Sequence, residues 1–206
     1  TSERWNDIWG DGDDATSEPD DMLTTQVRDL SPGRALEMGC GAGGNAVWLA
    51  EHGWQVTAVD FSEAAIEKAR RLAGDQGVTV DFVVADAAAY QPLGQHDLIT
   101  VFYIHLPAEQ RARMLSAATN SLVPGGTLLF VSHDRSSPPS GWDEEDLLTL
   151  TTPEEIVSEL PGLKIEQAIV FDHGETGAHP SHAHGSHADH DSQGHSMDGT
   201  RHSQSS

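Results

Sequence analysis

The sequence predicts an α/β fold built on a doubly wound, mostly parallel sheet. Three observations carry that prediction. From residue 34 onward, short apolar runs alternate with segments of helical periodicity, the order that yields parallel strands joined by crossover helices. Strands such as "LITVFYI" are apolar almost throughout, as a sheet covered on both faces requires. The first apolar run passes straight into "LEMGCGAGGN", where four glycines in six residues let a backbone approach a ligand closely.

The elements follow in order. "PDDMLTTQVRDL" reads as a helix capped near Asp20 or Asp21, with Met22, Leu23, Val27 and Leu30 on one face. "RALEMG" is a strand and "GNAVWLAEHG" a helix ended by Gly53. "WQVTAVD" is a strand, and "SEAAIEKARRLAGDQG" a helix with Ser62 as its cap. "VTVDFVVAD" and "HDLITVFYI" are strands, and "PAEQRARMLSAATNSL" is a helix with Pro107 in its first turn. "GTLLFVSHD" is a strand, "TPEEIVSEL" a helix capped by Thr152 with Pro153 first, and "LKIEQAIVFD" a last strand. This divides the chain into an acidic cap segment with its helix (1–33), one α/β domain (34–173) and a His-rich tail (174–206). The tail has almost nothing apolar and is expected to be disordered.

Composition narrows the partners. The 206 residues hold 33 acids against 11 lysines and arginines, a formal net charge of −22. Such a field repels phosphate backbones and anionic lipid, so neither nucleic acid nor a membrane is the expected partner. It suits a salt-adapted source and ordinary solubility equally. No apolar run approaches the ~20 residues of a spanning helix and nothing reads as a targeting segment, which makes the cytoplasm the expected compartment. The lone cysteine, Cys40, excludes an internal disulfide.

The glycine loop supports two readings. Gly39, Gly41 and Gly44 satisfy the dinucleotide pattern G-x-G-x-x-G, whereas Glu37, Gly39, Gly41 and Gly43 satisfy E-x-G-x-G-x-G. A P-loop is excluded, because no Gly-Lys-Ser/Thr follows. Glu37 beside the loop would face a pyrophosphate unfavourably but would welcome an ammonium group. Asp60 ends the second strand, where an acid can accept bonds from ribose hydroxyls, and Asp86 ends the third, within reach of an adenine amino group.

In this arrangement the chain resembles the class I S-adenosylmethionine (SAM)-dependent methyltransferases. Glu37-x-Gly39-x-Gly41-x-Gly43, "VDFS", "VADA" and the "LVPGGTLLF" turn match that family's ordered motifs over roughly residues 34–171. The resemblance implies SAM as cofactor and S-adenosylhomocysteine (SAH) as product. It implies a cofactor site of Glu37, Gly39, Cys40, Gly41, Asn45, Asp60, Phe61, Asp86, Ala87 and Phe102. Glu37 would meet the ammonium group, Asp60 the ribose diol, Phe61 the adenine face, Asp86 and Ala87 the adenine edge, and Phe102 the methionine end. Relatives usually finish the sheet with two strands after the fifth, the last antiparallel. Here the polar tail offers no such strand, so six strands are expected with the antiparallel one missing. A gap beside "TLLFVS" would leave an edge open to a second copy, hence a homodimer.

The acceptor is expected to be a small molecule. "FYIHLP" after the fourth strand is unlike the Asn/Asp-Pro-Pro-Tyr of base-amino methyltransferases, and neither a Pro-Cys nucleophile nor a cysteine set for arsenic is present. The pattern is most similar to small bacterial tellurite-resistance and thiopurine-like methyltransferases, which carry a tryptophan-bearing N-terminal segment. Trp5 and Trp9 are therefore expected to close over the cleft. Tyr103, His105 and His133 follow strands four and five, over the expected acceptor space, and are the candidate catalytic residues. Two further readings stay open. His179, His182, His184, His187, His190 and His195 are spaced to suit Zn, Ni or Cu, which would make the protein a metal-handling chain on a SAM-binding scaffold. An NAD-linked oxidoreductase rests on the Gly39/Gly41/Gly44 match alone.

Overall fold

Alternate residues of the central strands point to two different cores. Ala35 of β1 and Leu98 of β4 pack with the helices on one face, whereas Leu36, Met38, Ile99 and Val101 pack with those on the other. The computed structural model describes residues 18–171. In order these form α1 (Asp21–Val27), β1 (Arg34–Met38), α2 (Gly44–Glu51), β2 (Gln55–Asp60), α3 (Glu63–Gln76) and β3 (Asp81–Val84). β4 (His96–Phe102), α4 (Ala108–Asn120), β5 (Leu122–Val131), α5 (Glu144–Leu147) and α6 (Pro153–Ser158) follow.

The five strands are all parallel, in the order β3-β2-β1-β4-β5. Helices α1, α2 and α3 cover one face through Leu23, Val27, Leu49 and Ile66. Helix α4 covers the other through Met114, Leu115 and Ala118, joined by Ile156 of α6. The sheet is thus doubly wound. Its strand order reverses between β1 and β4, and the crevice outside the carboxyl ends of those strands is where such sheets take ligands. Among the described residues no helix is long and apolar enough to cross a membrane.

The caps read from the sequence are in place. Asp20 accepts from the Met22 N–H at 2.8 Å and Ser62 from the Ala65 N–H at 3.2 Å. Thr152 and Glu155 form a reciprocal capping box on α6, each accepting the other's backbone N–H at 3.3 Å. Thr152→Ala is expected to cost about 1 kcal/mol, read as a lower urea midpoint at unchanged slope. No change would show that Pro153 alone fixes the start of the helix.

One expected element is absent. Residues 163–171 form no strand, and Ile169 and Val170 are about half exposed. A strand there could pair with β5 on one side, and among the described residues nothing lies ready to pair on its other side. The described sheet therefore has five strands, not six. β5 is its outer strand, with Leu128, Leu129 and Phe130 only half-buried. It also begins earlier than read, at Leu122, because His96 pairs with Leu122 before an irregularity restores register at Leu98 and Thr127.

Candidate functional site

An open cleft of about 2940 Å3 lies over the carboxyl ends of the strands. Ligand pockets are usually roughly 300–1,000 Å3, and the excess arises because the cleft merges with a trough along β5. All ten expected cofactor residues and all three candidate catalytic residues line it.

The loop discriminates between the two glycine patterns. Gly39, Gly41 and Gly43 take positive φ (75°, 51° and 88°), whereas Gly44 starts helix α2 with no such requirement. The glycines whose conformation the turn demands are those of E-x-G-x-G-x-G.

Glu37 is 1 % exposed, and its Oε2 is buried with no hydrogen-bond partner. Burial pushes its carboxyl up to about 8; a bond from the Asn45 side chain opposes this, and the nearby Asp60 charge adds to it. An orphaned, poorly solvated carboxyl oxygen at a ligand cleft fits a cationic group, which would restore its charge and its hydrogen bond. Asn45 does more than line the loop. While its side chain bonds Glu37, its Oδ1 accepts the Asp20 N–H at 2.8 Å, tying the start of α1 to the floor of the cleft.

Asp60 accepts the Gly41 N–H through Oδ2 and the Ser62 N–H through Oδ1, both at 2.9 Å. It therefore holds the glycine loop as well as facing the cleft, and burial keeps its carboxyl above the ordinary value. Asp86 is exposed and caps its own turn through the Ala88 N–H at 2.9 Å, above the buried Ala87. Phe61 is 36 % exposed, a large apolar face open to the cleft, whereas Phe102 is buried. Burial and the charges of Glu37 and Asp60 raise the Cys40 thiol, so it is not a ready nucleophile.

The candidate catalytic residues come together with a partner that sequence reasoning missed. His133 Nδ1 lies 3.1 Å from His105 Nε2, and Trp142 stands edge-on to both rings at 4.6 and 5.3 Å. Trp142 sits in the irregular segment after β5. That segment is closed at its neck by the Asp134–Thr151 bridge and by Arg135, which bonds the Leu150 carbonyl and the Glu155 carboxylate. A single tryptophan in the polar "SSPPSGWDEED" was the available signal, since an isolated large aromatic needs something to cover. Tyr103 adopts a left-handed backbone (φ 52°), packs its ring 5.0 Å from that of His133, and donates its hydroxyl to Asp20. Burial and the Asp20 charge hold its phenol above the ordinary value. Trp5 and Trp9 of the expected lid lie outside the described residues. So do His179, His182, His184, His187, His190 and His195 of the tail, and no metal-holding group of three or more His, Cys, Asp or Glu occurs among the described residues.

Residues 35–126 match the family described as a methyltransferase domain. The ribosomal RNA small subunit methyltransferase C of Alcanivorax borkumensis is 29% identical over 145 residues, 68% of this chain and 42% of that protein. The ubiquinone biosynthesis O-methyltransferase of Bordetella pertussis is 34% identical over 110 residues, 52% of this chain and 45% of that protein. Among solved structures, the N-methyltransferase NodS of Bradyrhizobium japonicum superposes with a TM-score of 0.57 at 22% identity, covering 68% of this chain and 76% of NodS. TehB of Haemophilus influenzae gives 0.51 at 22% identity, covering 53% and 39%. The chain spans less than half the length of the two curated relatives just described. Over residues 35–126 this chain is thus similar to a methyltransferase domain, and the solved structures share its fold.

The Asp60 geometry sharpens an expected result. Asp60→Ala should weaken SAH binding by about one to two decades, from lost charge-assisted hydrogen bonds worth ~1.5–3 kcal/mol. It should also lower stability, because the Gly41 and Ser62 N–H groups lose their acceptor. Calorimetric titration at a temperature where the variant is folded checks this. Unchanged affinity would remove Asp60 from the site.

Proposed function

We propose that this chain transfers a methyl group from SAM to a hydroxyl of a small molecule. The observation that carries the reading is the buried, unpartnered Oε2 of Glu37 beneath a loop of positive-φ glycines. A dinucleotide pyrophosphate would repel the ionised carboxylate and leave that oxygen without a cation, whereas an ammonium group favours the ionised form and completes it. Bound SAM supplies an electrophilic methyl group on a sulfonium centre. The chain's own residues do the holding. Glu37 meets the ammonium group, Asp60 the ribose diol, Phe61 the adenine face, Asp86 and Ala87 the adenine edge, and Phe102 walls the methionine end. Because the chemistry is an in-line displacement, their task is alignment and exclusion of water.

A hydroxyl acceptor is favoured by the ubiquinone biosynthesis O-methyltransferase relatives. Small size is favoured by the net charge of −22 and by Glu18, Asp20 and Asp21 on the cleft wall, all repulsive to RNA phosphates. The ribosomal RNA relative supplies the second reading. In this account residues 34–173 are the catalytic unit, 1–33 its cap, and the cytoplasm the compartment. The outer edge of β5 supports pairing with a second copy. Incubation with SAM and a panel of small phenols, thiols, amines and ribosomal RNA, with SAH release as readout, tests the proposal. Release with phenols and none with RNA is expected. Release with RNA alone would replace the small-molecule reading by the second.

A further inference from the structure

The two histidines over the cleft are arranged as one proton-accepting device. His133 follows the end of β5 and His105 the end of β4, and the 3.1 Å separation of Nδ1 and Nε2 is a hydrogen bond between imidazoles. One ring must donate to the other. If His105 donates, the pair's basic nitrogen is His105 Nδ1, which is buried in protein. If His133 donates, the basic nitrogen is His133 Nε2, and an imidazolium formed there is stabilised by His105 across the shared bond. The rings of Tyr103 and Trp142 flank the pair, at 5.0 Å from His133 and 4.6 Å from His105, and form flat walls suited to a planar guest. The charged groups nearest in the chain are Asp134, next to His133, and Asp20, reached through the Tyr103 hydroxyl.

We infer that the acceptor is a neutral phenol, that His133 takes its proton as the methyl group transfers, and that His105 acts through His133 as a positioning residue. The inference rests on the methyltransferase reading above. The step balances without a further reactant. The phenol O–H bond breaks and its proton passes to His133, while the oxygen's electron pair forms the O–CH3 bond. The S–CH3 bond breaks with its pair left on sulfur, and the proton then leaves the imidazole pair for water. The acidic cleft wall agrees with a neutral guest and disfavours anionic acceptors such as oxyanions or halides.

A series of ring-substituted phenols of graded acidity tests this, from unsubstituted phenol to nitrophenols already ionised at the assay pH. Turnover by the wild type, His133→Asn and His105→Asn is compared acceptor by acceptor, with SAH affinity measured on each protein. His133→Asn should lose about 10²–10⁴-fold in turnover on weakly acidic phenols, the usual contribution of a positioned base. It should lose little on the ionised ones. His105→Asn should show the same dependence on acidity with a smaller loss, and SAH affinity should be unchanged in both. Equal loss across the series would make the pair structural and overturn the inference. SAH binding by the wild type without methylation of any phenol would overturn the acceptor class. Failure of the wild type to bind SAH would instead overturn the methyltransferase reading itself.

Discussion

Glu37→Gln is expected to stabilise the ligand-free protein and weaken its hold on SAH. Glu37 is about as buried as a residue can be, and its folded carboxyl titrates near 8 against 4.5 for an unperturbed one. Between those values the unfolded chain releases a proton that the folded chain keeps. Stability must therefore fall as pH rises through that window and level off above it. At 1.36 kcal/mol per unit the full span is on the order of 4–5 kcal/mol, an upper figure because water and relaxation soften buried charges. Glutamine keeps the shape and can still bond Asn45, but it does not titrate. Urea unfolding should show the wild type losing several kcal/mol from pH 5 to pH 8, and the variant losing markedly less, with Asp60 still contributing its own part. In binding, the order reverses. An ammonium group favours the ionised carboxylate, so wild-type affinity for SAH should rise with pH up to about 8. The variant should lack that rise and bind about one to two decades more weakly. Identical pH dependence of stability in the two proteins would show that Glu37 is not held protonated by its burial.

Gly43→Ala is the second large effect. Gly43 sits at φ 88° directly before α2, where an alanine pays about 1–2 kcal/mol for the left-handed backbone. A Cβ there would also lie 2.7 Å from the Cβ and 3.1 Å from the Cα of Ala69, on the facing helix α3. That atom is not the end of a flexible side chain, so the loop or α3 must move, which adds about 1–3 kcal/mol of overpacking. Gly77 is the matched control. It has φ 68°, but a Cβ would meet nothing within 4 Å, so Gly77→Ala should show only the backbone part. Denaturant unfolding should separate the two by about 1–3 kcal/mol. SAH affinity should fall in the Gly43 variant alone, since only there does the loop over β1 shift. Equal destabilisation would mean that α2 and α3 can part at no cost.

Much of this was legible because it is local. The alternation of "RALEMG", "WQVTAVD" and "HDLITVFYI" with amphipathic segments specifies parallel strands and their helices, and Ser62 and Thr152 mark helix starts by their own hydrogen bonds. Glu37, Asp60 and Asp86 were readable as one edge because each lies at or just beyond the carboxyl end of one of three adjacent parallel strands. What escaped depends on distant pairings. "LKIEQAIVFD" has strand composition, but a strand also needs neighbours, and those are not encoded in the segment itself. Trp142 reaches the site only because Asp134 pairs with Thr151 and Arg135 with Glu155. Asn45 was read as a cofactor residue at the start of a helix, yet its side chain joins Glu37 to the backbone of Asp20, 25 positions away. The Tyr103 link to Asp20 closes the same network from the acceptor side. A short polar residue with two partners on different elements leaves no periodic trace.

The most direct measurement is a calorimetric titration of the full chain with SAH, SAM and NAD in turn, repeated on Glu37→Gln and Asp60→Ala. The account predicts one site per chain for SAH and SAM, no heat with NAD, and weakened SAH binding in both variants. Binding of NAD with none of SAH would contradict it, and would return the loop to the dinucleotide pattern of Gly39, Gly41 and Gly44.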